Sequence, residues 1–219
     1  MLLTYQNPKL NKSMNFGYQS FGLSLAPNTV SGFQTCPKAS VGCSTECLFY
    51  SGRGRMQRTQ DARINRTRLF FEHREKFLRL LIAEMALAIE TAECNELKPC
   101  FRMNVVSDIA WEKFGIPQEF PDVVFYDYTK VLNRKVPDNY HLTFSRSEAN
   151  EKECIEALAR GSNIAVVFDK LPPEYLGRPV ISGDVHDLRF LDPKGVIIGL
   201  TPKGRAKNDT SGFVVRTGL

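Results

Sequence analysis

From residue 98 onward the chain is a string of short apolar runs separated by turns, and this texture limits its fold more than any other feature. The runs are "CFRMNVV" (100–106), "VVFYDY" (123–128), "YHLTFS" (140–145), "NIAVVF" (163–168), "PVIS" (179–182) and "GVIIGL" (195–200), and "YQSFGLSL" (18–25) supplies a seventh upstream. Several are nearly continuous in Val, Ile and Phe, as strands buried on both faces must be. Helical patterns fit between some of them. Over 61–93, Leu69, Phe70, Phe77, Leu80, Leu81, Met85 and Ile89 recur at three- and four-residue steps. "SEANEKECIEALARG" (147–161) opens on Ser and Asn and closes on Gly161, a helix start and stop. Strand alternating with helix predicts an α/β fold with a mainly parallel sheet. Seven strands with short connections suggest a partial or small TIM-like (β/α) barrel, with a doubly wound open sheet as the alternative. The barrel is favoured by the polar residue after nearly every run: Asp108, Asp127, Arg146, Asp169, Asp184 and Lys203. In barrel enzymes, residues at the C-terminal strand ends converge on one mouth.

A chain of 219 residues is expected to form one domain, 1–219, with a core large enough to need no staples. Its 42% hydrophobic and 24% charged residues are those of an ordinary soluble globular protein. No run of about eighteen apolar residues exists, so no membrane span is expected. The opening "MLLTYQNPKLNKS" lacks a basic-then-apolar signal layout, which predicts a cytoplasmic protein, in the host cell if the chain is phage-encoded.

Three of the six cysteines fall within twelve residues, in "TCPKASVGCSTECLFYSGRG" (35–54): Cys36, Cys43 and Cys47, spaced Cys-x6-Cys-x3-Cys. In a reducing compartment, clustered thiols point to metal or redox chemistry. The loop follows the first candidate strand and precedes the long helix. Thiolates are soft ligands suited to zinc or iron–sulfur clusters. A structural zinc site takes four protein ligands, and Cys94, Cys100 or His73 could supply the fourth. Three thiolates with an open fourth position instead suit a 4Fe-4S cluster that leaves one iron free for a substrate or cofactor. Three unligated cysteines in a loop are the plain structural alternative.

A basic run adjoins this loop. Between residues 52 and 79 lie Arg53, Arg55, Arg58, Arg63, Arg66, Arg68, Arg74, Lys76 and Arg79 against only Asp61, Glu72 and Glu75. Arginine suits bidentate phosphate contacts, so Arg53, Arg55 and Arg58, with some of Arg63, Arg66 and Arg68, are candidate nucleic-acid contacts beside the cysteines. The alternative is a solvated helix face.

Several motifs, "LSLAP", "TCPKASVGCSTECL", "SGRG", "MNVVSDIAWE", "FYDYTK", "YHLTFSRSE", "GDVHDLRFLDP" and "GLTPKG", extend from about residue 20 to 213. On these residues the chain resembles the bacteriophage gene product 88 family. Its strand–cysteine-loop–helix opening is also similar to that of radical S-adenosylmethionine enzymes. That likeness implies a partial barrel, a 4Fe-4S cluster and bound S-adenosylmethionine. The chain departs from those enzymes, which show Cys-x3-Cys-x2-Cys and a Gly-Gly-Glu-like turn where this sequence has Ser107 and Asp108. A fainter likeness, resting on strand-end aspartates, is to barrel enzymes that exchange guanine for a deazaguanine base.

The strand ends supply the remaining candidates. Asp108 and Asp127 would sit at adjacent ends, where paired carboxylates can divide nucleophile and acid roles or simply satisfy loop amides. "SRSE" places Ser145, Arg146 and Glu148 at one end, with Arg146 suited to an anion. "GDVHDLRFLD" gathers Asp184, His186, Asp187, Arg189 and Asp192, a base, a metal ligand or a salt-linked turn. Asp108, Asp127, Arg146, Glu148 and Asp184 are therefore the catalytic candidates, and Asn104, Ser107, Ser145 and Lys203 the cofactor contacts. Phe49, Trp111, Tyr126 and Tyr128 could stack bases or fill core, and His141 is expected inside the core. "SGRG" has neither Walker nor dinucleotide spacing, which argues against a nucleotide triphosphatase. The expectation is a three-cysteine iron–sulfur enzyme acting on nucleic acid or a nucleotide. The alternatives are a zinc- or cluster-stapled nucleic-acid-binding protein and a base-exchanging DNA-modifying enzyme.

Overall fold

The structure is a computed structural model that describes residues 1–4 and 8–218; the other positions of the expected 1–219 domain lie outside the described residues. Among the described residues nine strands form one sheet: β1 (Leu3–Thr4), β2 (Tyr18–Leu23), β3 (Lys98–Arg102), β4 (Val124–Thr129), β5 (Tyr140–Ser145), β6 (Ile164–Val167), β7 (Glu174–Tyr175), β8 (Arg178–Ser182) and β9 (Ile197–Leu200). The order is β1-β2-β3-β4-β5-β6-β9-β8-β7. Every neighbouring pair from β2 to β8 is parallel, and only the two-residue edge strands β1 and β7 run antiparallel. The fold is therefore mixed α/β with a mostly parallel sheet. β1 and β7 end the order and no ladder joins them among the described residues, so the sheet is open rather than closed.

Among the described residues six helices accompany the sheet: α1 (Pro8–Asn11), α2 (Val41–Thr45), α3 (Gln57–Glu72), α4 (Arg74–Cys94), α5 (Ile116–Glu119) and α6 (Glu151–Ala159). The three longest pack on one face. Phe70 of α3 and Phe77, Leu81, Met85 and Ala92 of α4 bury against Phe21, Leu23, Phe101 and Phe125. Cys154, Ala157 and Leu158 of α6 bury against Phe144, Ile164, Val166 and Ile197. Strand alternation turns the next residues, Cys100, Tyr126, Ala165 and Ile198, to the opposite face. There Leu188 and Phe190, from the β8–β9 connection, cover Cys100 and Tyr126. A doubly wound sheet would carry helices on both faces and reverse its order near the middle; this order runs straight from β2 to β6. No described helix is long and apolar enough to cross a membrane.

Two local outcomes differ from the periodicity, and a third agrees with it. The helix expected over 61–93 is two helices, interrupted at His73, whose φ of −135° and ψ of 55° leave the helical region. The run 100–106 leaves the sheet after Arg102. Asn104 captures the chain there: its Oδ1 accepts from Ser107 Oγ at 2.9 Å and Ile109 N at 2.8 Å, and its Nδ2 donates to Ile109 O at 3.0 Å. Such side-chain bonds compete with a strand ladder. The helix expected within 147–161 is α6. Asn150 precedes it and accepts from Ser147 N at 2.7 Å, and Gly161, at φ 82°, ends it in a conformation that glycine adopts without strain.

Candidate functional site

A cavity of about 410 Å3 lies at the C-terminal ends of the parallel strands. Its floor and one wall are strand ends and the residues after them: Arg102 and Asn104 to Asp108 after β3, Tyr128 to Lys130 at β4, Ser145 at β5, Val167 at β6, and Leu200, Thr201 and Asp184 at β9 and β8. The facing wall is the loop after β2, from Pro27 to Tyr50, closed by Lys203, Ala206 and Phe213 from the C-terminal segment. A parallel sheet leaves its strand-end loops free to build such a crevice.

All three clustered cysteines line this cavity. The Cys36 sulfur accepts the Asn28 amide at 3.3 Å and lies 3.7 Å from Val106 O. Cys43 sits in α2, its amide held by the Ser40 N-cap hydroxyl at 3.2 Å. Cys47 enters the 3₁₀ turn Leu48–Tyr50. Burial raises the Cys36 thiol, and the neighbouring Cys43 raises it further. Burial pushes Cys47 up to about 11, with Cys43 and Cys36 adding to the rise and Arg63 opposing it. The three thiols therefore share one electrostatic neighbourhood, and none is in a disulfide. They are not drawn to a common centre: no three His, Cys, Asp or Glu side chains among the described residues are grouped to hold a metal ion. The donor set still fits a thiolate-bound group, with three soft ligands from one loop facing one cavity.

The strand-end residues divide into two sets. Asn104, Ser107, Asp108, Ser145, Asp184 and Lys203 line the cavity; Asp127, Arg146, Glu148, Arg53, Arg55 and Arg58 do not. Asp127 is fully buried on the helix-bearing side, accepting from Asn104 N at 2.7 Å, Asn104 Nδ2 at 3.0 Å and Tyr140 Oη at 2.7 Å. Burial raises its carboxyl to about 6. Asp108 accepts from Lys130 N at 2.9 Å and Arg134 Nη1 at 3.3 Å, with burial raising its carboxyl. The two aspartates thus hold loops rather than face one another. Glu148 accepts from Gly42 N at 2.7 Å and Ser40 Oγ at 2.8 Å, fixing the cysteine loop. Arg146 donates to the carbonyls of Gly212 and Phe213, fixing the C-terminal segment. Asp184, on the rim, accepts from Thr201 Oγ1 at 2.7 Å and Lys203 Nζ at 3.0 Å; burial opposes its charge, and these bonds keep its carboxyl below the usual range.

Within "GDVHDLRFLD", Asp187 pairs with Arg102 and Arg189 with Asp192 at 3.2 Å, while Arg189 also donates to the His186 carbonyl. This is the salt-linked turn, lying beneath the cavity floor. Of the four candidate stacking aromatics, Phe49, Trp111 and Tyr126 are core, and only Tyr128 lines the cavity. His141 is exposed rather than core, with the Phe190 ring centre 5.7 Å from its own. The basic run also divides. Arg63 lies over the Phe49 ring at 5.6 Å, and Arg66 and Arg68 donate to the Ser24 and Ser31 carbonyls. The sequence reading missed Arg102 and Lys130 as cavity residues. A lone arginine inside the apolar run "CFRMNVV" was the available signal for the first.

The fold and site define a mixed α/β protein with a thiol-lined cavity at the C-terminal edge of a mostly parallel sheet. Residues 1–217 match the family model Gene product 88, and the chain belongs to that phage protein family. No curated protein and no solved structure matches it.

Proposed function

We propose that this protein is an iron–sulfur enzyme, radical S-adenosylmethionine-like in build, whose cluster is held by Cys36, Cys43 and Cys47. The observation that carries the reading is that three cysteines from one loop all face one cavity at the C-terminal strand ends. The one-sided helices and the straight order from β2 to β6 suit an open segment of a TIM-like barrel, in which such ends form the active mouth, although β9, β8 and β7 follow β6 in reverse order. Bound there, a cluster with three thiolates would supply redox chemistry at an iron open to a ligand. Tyr128, Lys130 and Arg102 face the same space and would orient an anionic substrate. Two of the residues expected to hold S-adenosylmethionine do not fit that role. The Asn104 side chain is saturated by Ser107, Ile109, Trp111 and Asp127, and Ser107 is bonded to Asn104. No step is therefore assigned through that cofactor.

Anaerobic reconstitution with iron and sulfide tests the reading. The expected product is brown, with about four irons per chain and sulfide-to-iron absorption. Cys36→Ala, Cys43→Ala and Cys47→Ala each lose it, while Cys94→Ala and Cys154→Ala keep it. A colourless protein retaining stoichiometric zinc would sink the iron–sulfur assignment and leave the zinc-stapled binding protein.

A further inference from the structure

The cavity opens beside a surface whose positive charge the fold leaves unpaired. Arg63, Arg66 and Arg68 are turned to the body of the protein, as described above. Arg53, Arg55 and Arg58 are exposed instead, and no side chain of the three forms an ion pair or hydrogen bond among the described residues. Arg53 and Arg55 occupy the 3₁₀ turn Gly52–Arg55, three and five residues past Tyr50, which lines the cavity. Their Cα atoms therefore lie within about 11 and about 18 Å of the Tyr50 Cα. A distant segment adds to this rim: the turn Gly204–Asn208 packs on Leu48–Tyr50, presenting exposed Arg205 and Lys207. The Arg205 guanidinium stands 4.4 Å from the centre of the Tyr50 ring, with Glu46 the nearby carboxylate. Exposed Leu48 and Met56 lie along the same stretch.

We infer that this rim is a phosphate track for a single-stranded nucleic acid that presents one nucleotide to the cavity. The inference rests on reading that cavity as the active site. Five cations outside the cavity, on two segments, cannot all reach one small ligand within it, whereas a repeating anion meets them in turn. Arginine forks match phosphate oxygens. Tyr50, Leu48 and Met56 add the aromatic and apolar surface on which bases rest, which an acidic peptide would not use. Arg102 and Tyr128 line the cavity at the strand ends, and a base that enters it leaves its stack, which a single or opened strand allows at least cost.

Fluorescence anisotropy of the full chain with a labelled oligothymidylate, titrated across salt, tests this. Five neutralised phosphates give a slope of log K against log salt of about −3.5, roughly a hundredfold loss between about 50 and about 200 mM. Arg53→Ala, Arg55→Ala and Arg58→Ala combined should flatten it to about −1.4, roughly a sevenfold loss over the same range. Lys76→Ala with Arg79→Ala, exposed on α4, should leave the wild-type slope. Equal weakening by both sets would reduce the effect to net charge and overturn the track. Equal binding of a duplex would overturn the single-strand requirement, and equal binding of polyglutamate would overturn nucleic acid as the partner. Iron content, read on the same preparations, reports separately on the cluster: strand binding without iron keeps the track and removes the iron–sulfur reading, and iron without strand binding does the reverse.

Discussion

Replacing Asp127 by asparagine separates a loop-holding role from a catalytic one through pH. The carboxylate is fully buried and takes three donors, two from Asn104 and one from Tyr140. Those bonds favour its charged form, but burial outweighs them and raises the carboxyl from 3.8 to about 6. The native state therefore keeps its proton over a range where the unfolded chain has released it. With the unfolded state binding fewer protons, stability falls as pH rises through that window. The contribution is present below about pH 4 and gone above about pH 6. Its size follows from the displacement and is on the order of 3 kcal/mol. Asp127→Asn cannot titrate at this position. Urea unfolding of both proteins from about pH 4 to about pH 7 should show wild type losing on the order of 3 kcal/mol relative to the variant as pH rises. Other groups titrate equally in both proteins and cancel. A constant difference across this range, or wild type gaining on the variant, would refute the reasoning and show that solvent reaches the carboxylate.

Arg134→Met should destabilise by about 3–5 kcal/mol in urea, because it leaves the buried carboxylates of Asp108 and Glu112 without their shared partner; a loss under about 1 kcal/mol would mean that water takes over that role. Gly42→Ala should lower stability by about 1–3 kcal/mol on thermal unfolding, since its Cβ would overlap the Ser211 hydroxyl and lie 2.9 Å from a Glu148 oxygen; an unchanged melting temperature would refute the close approach. Arg146→Gln should speed amide exchange across residues 209–216 with little change in global stability, as it loses the contacts to the Gly212 and Phe213 carbonyls; exchange rising equally in the core strands would contradict so local a role.

The central strands were legible because each is short, apolar and bounded by turns, and the parallel order followed from the helices between them. β1 and β7 were not, since two residues carry no periodicity and both strands exist only as partners of β2 and β8. Period two assigns Asp127 to the face of Phe125, which a charged residue at a strand end obscures in the sequence. It sits on the helix-bearing side with Phe125, among apolar neighbours, because Asn104 and Tyr140 satisfy it there. Neither partner is near it in sequence. The candidate site was legible in its cysteines, because a loop that follows the first parallel strand must lie at the C-terminal edge. The wall formed by Phe213 was not: it depends on Arg146 reaching a carbonyl 67 residues away.

This contact bears on what the mouth can do. The segment after β5 sends Arg146 to the C-terminal segment and Glu148 to the amide and hydroxyl of the cysteine loop, so one turn of chain fixes two walls of the cavity. Asp108 fixes a third, through the Lys130 amide. Each of these charged groups meets backbone that would otherwise be left without a partner beside a cavity, and removing any of them exposes that backbone's unmet bonds. A carboxylate whose oxygens already accept from loop donors is a poor candidate for moving a substrate proton. At the rim, Asp184 is in the same position, held by Thr201 and Lys203. The carboxylates read from the sequence as an acid–base set therefore build the container. Inside that container stand the three thiols, with the Glu46 carboxylate and the cations Arg102 and Lys130 lining the same cavity.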